Sequence, residues 1–376
     1  MNDSTFTPAR CHIDLGAIRR NFTRLGAASE LMPVIKSDAY GHGLLPVAQT
    51  LSDVGAQCFA VGVIDEGLTL RNAGLGQRIV ALLGANGEAD WHAAHTHNII
   101  PAIGDFIQLE CAAAHGDAGH PLSIALQCET GMGRLGFTEE EIPHLIECLR
   151  GMTHVHPILA VSHFACADMP EQEGYTDIQV RRFAAITEAL CTAFPHMQRS
   201  LANSAAILAR KGIQFEMSRP GLAIYGGNPF GSARQDACPD LEWAMSVCAP
   251  VLSIRDFASG QSISYGCTFT TCRPCRIAVV GIGYAAGLAR ALSNRTTMLV
   301  NGRRVPQVGR VCMGLTMLDI SDAGPIQPGD LAWVMGGPVA EGQHPVTPQE
   351  LADALGTIPY EVLCLMGSLI PRVFHA

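Results

Sequence analysis

Lys36 closes the apolar run PVIK, and Tyr40 follows four residues later in KSDAYGHG. An amine at the end of such a run is either a strand-end side chain reaching water or a nucleophile able to form a Schiff base with a carbonyl compound. Further along, His163 follows ILAVS, Asn203 and Ser204 follow RSLA, and Arg219 with Gly221 follows EMS. Ser204, the amides of Gly221 and Leu222, and the Tyr40 hydroxyl are groups that can bind a phosphate. A lone Ser in such a place is more often a helix cap. An amine combined with a phosphate site points to pyridoxal phosphate.

For these side chains to converge they must stand at the ends of parallel strands. From residue 33 the sequence alternates apolar or β-branched runs (PVIK, CFAVGV, RIVALLG, NIIPAIG, LSIALQCE, ILAVSHF, RSLANS and EMSRPG) with helical stretches such as LLPVAQTLSDVG and DIQVRRFAAITEALCTAF. The alternation predicts strands joined by crossover helices. Eight such units in roughly 200 residues fit a (β/α)8 TIM barrel, with a doubly wound sheet as the alternative. A barrel places its site at the C-terminal strand ends, where Lys36, His163, Asn203, Ser204 and Arg219 all fall. Beyond Tyr225 come a turn-rich stretch and then short alternating runs, with Asn301 and Gly302 as a hairpin turn. The chain therefore reads as α/β: an N-terminal (β/α)8 TIM barrel over 10–235 and a C-terminal mostly β domain over 236–376, with residues 1–12 pairing with the latter.

Against 25 Lys and Arg stand 34 Asp and Glu, a net charge of −9 that offers no basic face, so no nucleic acid is expected. No apolar run approaches the ~20 residues that span a bilayer, and MNDSTFTPAR lacks the order of a signal peptide. A cytoplasmic protein with no membrane partner is expected, its 14 Cys reduced. Cys272 and Cys275 form one CxxC without a second ligand pair, and His92, His95 and His97 read as solvated helix-end residues. No metal is expected.

The motifs resemble those of the alanine racemases, barrel-type enzymes that use pyridoxal phosphate. PVIKSDAYGHG, TGMGRLGF at 130–137, SHFACAD, ANSAA and RPGLAIYG are matched in order, and SYGCTFT at 264–270, GYAAGLAR at 283–290, NGRRVPQVGRVCMG at 301–314 and PYEVLC at 359–364 follow in the second domain. The resemblance implies that Lys36 carries the cofactor covalently and is one catalytic base. Tyr265 would be the other, supplied with Met313 across the interface of a head-to-tail homodimer. Tyr40, Ser204, Gly221, Leu222 and Tyr360 resemble the phosphate-binding set, Arg219 the residue facing the pyridine nitrogen, and His163 the hydrogen-bonding neighbour of Tyr265. With Asn203, His163 belongs to the implied cofactor surroundings. Arg134 and the Met313 amide resemble the substrate-carboxylate contacts, and Arg290, Arg310 and Asp168 match entryway positions. The implied reaction is racemisation of L- and D-alanine by proton removal on one face of Cα and return on the other, supplying D-alanine for peptidoglycan. Arginine can donate a hydrogen bond to the ring nitrogen without giving up its proton, which favours proton return over side reactions.

Three departures from the family pattern stand out. Gln127 occupies the place before the TGMGR loop where a lysine is common, and is expected either to orient Arg134 or to leave room for a small anion. Ala286 and Gly314 replace acidic residues, and Gly367 stands where an arginine is usual. These changes bear on substrate breadth, so a broader racemase acting on serine or lysine is one alternative. A non-catalytic pyridoxal-phosphate carrier is another, although such carriers consist of the barrel alone.

Overall fold

The structure is a computed structural model describing residues 7–209, 215–231 and 240–376. The chain divides into two compact units, one of Ile18–Ala39 with Leu44–Leu241, the other of Met1–Ala17, Tyr40–Gly43 and Glu242–Ala376. The expected boundary at 235/236 lies outside the described residues. The first strand, β1 (Arg10–Asp14), belongs to the sheet of the second unit.

In the first unit, β2 (Cys58–Val61), β3 (Arg78–Ala81), β4 (Ile99–Ile103), β5 (Leu122–Gln127), β6 (Val155–Val161), β7 (Gln198–Asn203) and β8 (Met217–Arg219) pair in parallel in sequence order. Helices connect them and cover their outer face, so β2 and β4 are buried along their whole length and read as unbroken apolar runs. The eighth stave is PVIK, and it is not a regular strand. Leu31 bridges to Ser218 and Val34 to Ala60. Four backbone hydrogen bonds close the ring there: Met32 N–H to Ser218, Val34 N–H to Pro220, Ile35 N–H to Ala60 and Ala60 N–H to Pro33, at 2.8–3.0 Å. Pro33 has no N–H to extend the ladder, and the chain turns at Lys36. The (β/α)8 barrel expected from the sequence stands as a nearly closed parallel barrel with flanking helices, followed in sequence by the expected mostly β domain.

The second unit is organised around the long strand β9 (Met245–Phe257), followed by β10 (Ser262–Ile263), β11 (Phe269–Thr270), β12 (Cys275–Val280), β13 (Thr297–Val300), β14 (Arg303–Pro306), β15 (Thr316–Asp319), β16 (Leu331–Met335) and β17 (Arg372–His375). β9 pairs antiparallel with β1, β12 and β16. β13 and β14 are joined by the two-residue Asn301 and Gly302 turn, whose φ angles of 50° and 73° suit a type I′ hairpin. Two helices here, Pro348–Leu355 and Pro359–Leu369, have no counterpart in the alternation reading. The first carries a visible start signal: Thr347 and Glu350 form a capping box with proline next to the cap. No helix among the described residues is long and apolar enough to cross a membrane.

Position 367 has a packing explanation. Gly367 lies on the last helix against the main chain of Gly41, and a Cβ there would stand 2.2 Å from the Gly41 oxygen. A side chain as large as arginine has no room, so Gly367 is a packing requirement rather than a lost charge. Gly367→Ala should cost at least ~2 kcal/mol through overpacking. Thermal unfolding checks this, and an unchanged melting temperature would contradict it.

Candidate active site

Lys36 begins a turn that few sequences tolerate. Ser37, Asp38, Ala39 and Tyr40 hold φ between 53° and 55°, four consecutive non-glycine residues in the left-handed region. Each costs roughly 1–2 kcal/mol, so the surroundings must over-determine the conformation. Two carboxylates do part of this. Glu66 accepts the Asp38 N–H at 3.1 Å through one oxygen and the Gly62 N–H at 2.7 Å through the other. Asp38 in turn accepts the Leu44 N–H at 2.6 Å. Lys36 is thereby half-buried at the seam where the barrel closes.

Arg219, at the end of β8, is buried. One of its terminal nitrogens donates to the Ser200 carbonyl at 2.6 Å and to the Ser200 hydroxyl at 2.7 Å, and the other donates to the Ser162 carbonyl. Burial and the charge of Arg134 push its pKa down to about 10, so it remains a cation at neutral pH. No carboxylate among the described residues pairs with it. A buried guanidinium held only by neutral oxygens favours a ligand that brings an acceptor or negative charge.

His163 stands just beyond the end of β6, with its carbonyl accepting from Gln179 at 2.9 Å. Burial, then Arg219, Arg134 and Lys36, push its pKa down to about 3. The imidazole is therefore neutral across the physiological range and can exchange a hydrogen bond without carrying charge. A folded-state pKa below the unfolded value gives stability that is present above pH ~6.5 and is lost as pH falls toward 3. Between pH 7 and 4 the loss should be on the order of 2 kcal/mol after screening at its partly exposed edge. His163→Asn, which cannot titrate, should unfold with a flatter pH dependence over that range; identical profiles would contradict the assignment.

Ser204 follows β7 and is buried. Its oxygen accepts the N–H groups of Gly221 at 2.9 Å and Ala223 at 3.3 Å, which leaves the hydroxyl proton for an acceptor outside the cluster. The Leu222 N–H opens a short 3-10 turn and is buried without an acceptor among the described residues. Asn203 caps the following helix, accepting the Ala206 N–H at 3.1 Å, so the cap that a strand-end serine would suggest belongs to its neighbour.

Gln127 does not orient Arg134. Its amide donates to the Leu82 carbonyl at 2.9 Å, and the Arg134 side chain is exposed with no hydrogen bond among the described residues. A neutral amide gains more from satisfying a strand-end carbonyl, and a solvated guanidinium needs no partner. Asp168 is also exposed.

In the second unit, Tyr265 occupies a 3-10 turn between the paired strands β10 and β11 and is 70% exposed. Ser264, at φ 68°, anchors that turn by donating to the Arg310 carbonyl at 2.8 Å. Met313 is 63% exposed in a turn closed by the Cys312 N–H to Leu315, and its own N–H meets no acceptor among the described residues. The 312–313 carbonyls accept from Tyr284 and Ala285 at 3.1 and 2.9 Å, which ties GYAAG to VCMG. Ala286 is buried, Gly314 and Arg290 are exposed, and Arg310 is half-buried. Tyr40 and Tyr360 lie with ring centroids 5.6 Å apart, and burial raises the Tyr40 pKa, so its phenol is a donor.

Several supporting residues receive no role from the motifs, four of them inside the quoted stretches: Thr130, Ser162, Gln179 and Ser200, with Glu66 outside them. Thr130 and Ser162 share a 2.8 Å hydroxyl bond, and Gln179, from helix Glu173–Ala193, reaches Thr130, the His163 carbonyl and the Ala165 N–H at 2.9–3.3 Å. Gln179 shares the buried helix face with Thr176 and Thr187 as well as Phe183, Ile186 and Leu190, so its polarity does not single it out in the sequence.

Comparison with known proteins places the chain as a whole. Residues 13–229 match the model for "Alanine racemase, N-terminal domain" and residues 244–374 that for "Alanine racemase, C-terminal domain". An alanine racemase of Nitratidesulfovibrio vulgaris (Miyazaki F) is 46% identical over 357 residues, covering 94% of this chain and 95% of that protein. One from Lawsonia intracellularis is 41% identical over 345 residues, covering 90% of each. The crystal structure of alanine racemase from E. faecalis superposes with a TM-score of 0.90 at 30% identity, covering 100% of both chains. That from Bartonella henselae, described with covalently bound pyridoxal phosphate, gives 0.85 at 28% identity and covers 98% of this chain and 99% of that one.

Proposed function

We propose a two-base mechanism for this chain, which belongs to the alanine racemase family. It is an isomerase that racemises alanine. In the proposed reaction Lys36 moves the proton on the D face of Cα and Tyr265, from the second subunit of a homodimer, moves it on the L face. Two residues are required because a proton must leave one side of a planar centre and arrive at the other. The observation that carries this reading is Lys36 itself, an amine fixed at the barrel seam by a strained turn, near His163, which burial first and then Arg219, Arg134 and Lys36 keep neutral.

The residues fit pyridoxal phosphate. Lys36 offers the amine for covalent attachment. Arg219 offers a buried donor for the ring nitrogen, and its lack of a carboxylate partner suits that use. Ser204 presents a hydroxyl proton whose oxygen is already satisfied, and Leu222 an unused buried amide; the phenols of Tyr40 and Tyr360, whose rings lie 5.6 Å apart, belong to the phosphate set by family resemblance. Gly221 contributes by fixing Ser204, and Asn203 by capping the helix that follows. When bound, the cofactor would supply the electron-withdrawing system that makes the substrate Cα–H acidic. Arg134 and the Met313 amide would then hold the substrate carboxylate, and neutral His163 would exchange a hydrogen bond with Tyr265.

The exposure of Tyr265 and Met313 leaves both side chains accessible for donation to a partner chain, as the family resemblance implies. The same proposal gives the reaction the role of supplying D-alanine for peptidoglycan in the cytoplasm, supported by the family resemblance. Incubation of the loaded protein with L-alanine, L-serine and L-lysine in turn, with deuterium wash-in at Cα, tests the substrate. D-alanine with solvent deuterium is expected. D-serine or D-lysine formed at a comparable rate would replace alanine specificity by a broader one.

A further inference from the structure

The loop that carries Arg134 is shaped by a carboxylate inside it. Glu129 follows β5, and its side chain turns inward to accept the N–H groups of Gly131, of Gly133 at 2.9 Å and of Arg134 at 3.2 Å. Its main chain closes the base of the loop: Glu129 N–H donates to Phe137 at 2.9 Å and Phe137 N–H to Gln127 at 2.8 Å. Gly136, at φ 126°, leaves no room for a Cβ, which would stand 2.7 Å from the Glu129 nitrogen. From outside, the Tyr175 hydroxyl donates to the Gly131 carbonyl at 2.6 Å. Successive amides converging on one anion form a nest, and both carboxylate oxygens are used. Partial burial works against the charge of Glu129, and the amide hydrogen bonds outweigh it, holding the carboxyl below the usual range.

With Gln127 committed to Leu82, nothing among the described residues grips the Arg134 guanidinium, and the residue is placed only through its main chain. We propose that Glu129 is the positioning residue for Arg134, setting substrate-carboxylate affinity by fixing the loop backbone rather than by touching substrate. This rests on the reading of Arg134 as the carboxylate ligand. E129Q keeps the shape but removes one acceptor oxygen and turns an NH2 toward N–H donors, so the nest cannot form.

The test uses holoenzyme of wild type, E129Q and R134Q, with L-alanine as substrate and propionate, a three-carbon carboxylate lacking the amine, as competing probe. E129Q should raise KM and the propionate inhibition constant together by about tenfold, the worth of one charge-assisted hydrogen bond. Its kcat should stay within about twofold, because the proton-moving groups are untouched. Hydrogen exchange at the amides of Gly131, Gly133 and Arg134 should accelerate selectively, a readout that does not depend on turnover. If R134Q raises both constants while E129Q moves neither, the proposal for Glu129 is overturned alone. If R134Q leaves both unchanged, Arg134 is not the carboxylate ligand and the assignment beneath the proposal fails. Exchange accelerated throughout the barrel would mean general destabilisation and would also count against Glu129 as a local positioning residue.

Discussion

Tyr265→Phe should slow α-proton exchange from L-alanine by ~10²–10⁴-fold, the usual worth of a positioned acid/base, while exchange from D-alanine falls far less. The asymmetry is the informative part, because only one face of the substrate loses its proton carrier. Tyr265 is exposed within the chain, and losing one hydroxyl there should change folding stability by less than about 0.5 kcal/mol. The effect would therefore be chemical rather than structural. Incubating each enantiomer in deuterated water and following Cα exchange by NMR measures it. Equal losses from the two enantiomers would remove Tyr265 from the role of L-face base.

Lys36→Ala should be more severe, abolishing detectable racemisation by removing both the attachment point and the D-face base; the base alone is worth ~10²–10⁴-fold. Lys36→Arg separates charge from chemistry, since a guanidinium keeps the positive charge but is no amine nucleophile. Neither variant should charge His163 at neutral pH, because burial and Arg219 act on it more strongly than Lys36 does. The low-pH limb of the stability curve should therefore stay in place in Lys36→Arg, which keeps the charge, while turnover disappears. Retention of measurable racemisation by Lys36→Arg would contradict the role.

The barrel was legible because its strands are buried on both faces and stand as apolar runs between helices, as at β2 and β4. PVIK looked like one more strand, but periodicity is blind to the lost donor of Pro33, and only the closing bridges reveal an irregular stave. The helices Pro348–Leu355 and Pro359–Leu369 were hidden by neighbouring strand patterns, although Thr347, Pro348 and Glu350 announced the first. Lys36, His163, Ser204 and Arg219 stood out because each ends an apolar run. Their supports did not. Glu66 reaches the Lys36 turn across 28 positions and Gln179 reaches Thr130 across 49, and such pairings leave no local trace. Gln127 misled for a related reason: its preferred partner, the Leu82 carbonyl, is 45 positions away.

The most direct measurement is borohydride treatment of the protein loaded with pyridoxal phosphate, followed by proteolysis and mass mapping of the modified peptide. The account predicts a single stable adduct on Lys36, prevented by Lys36→Ala. A label on the other lysine, Lys211, or no covalent adduct in a protein that still racemises alanine, would contradict it.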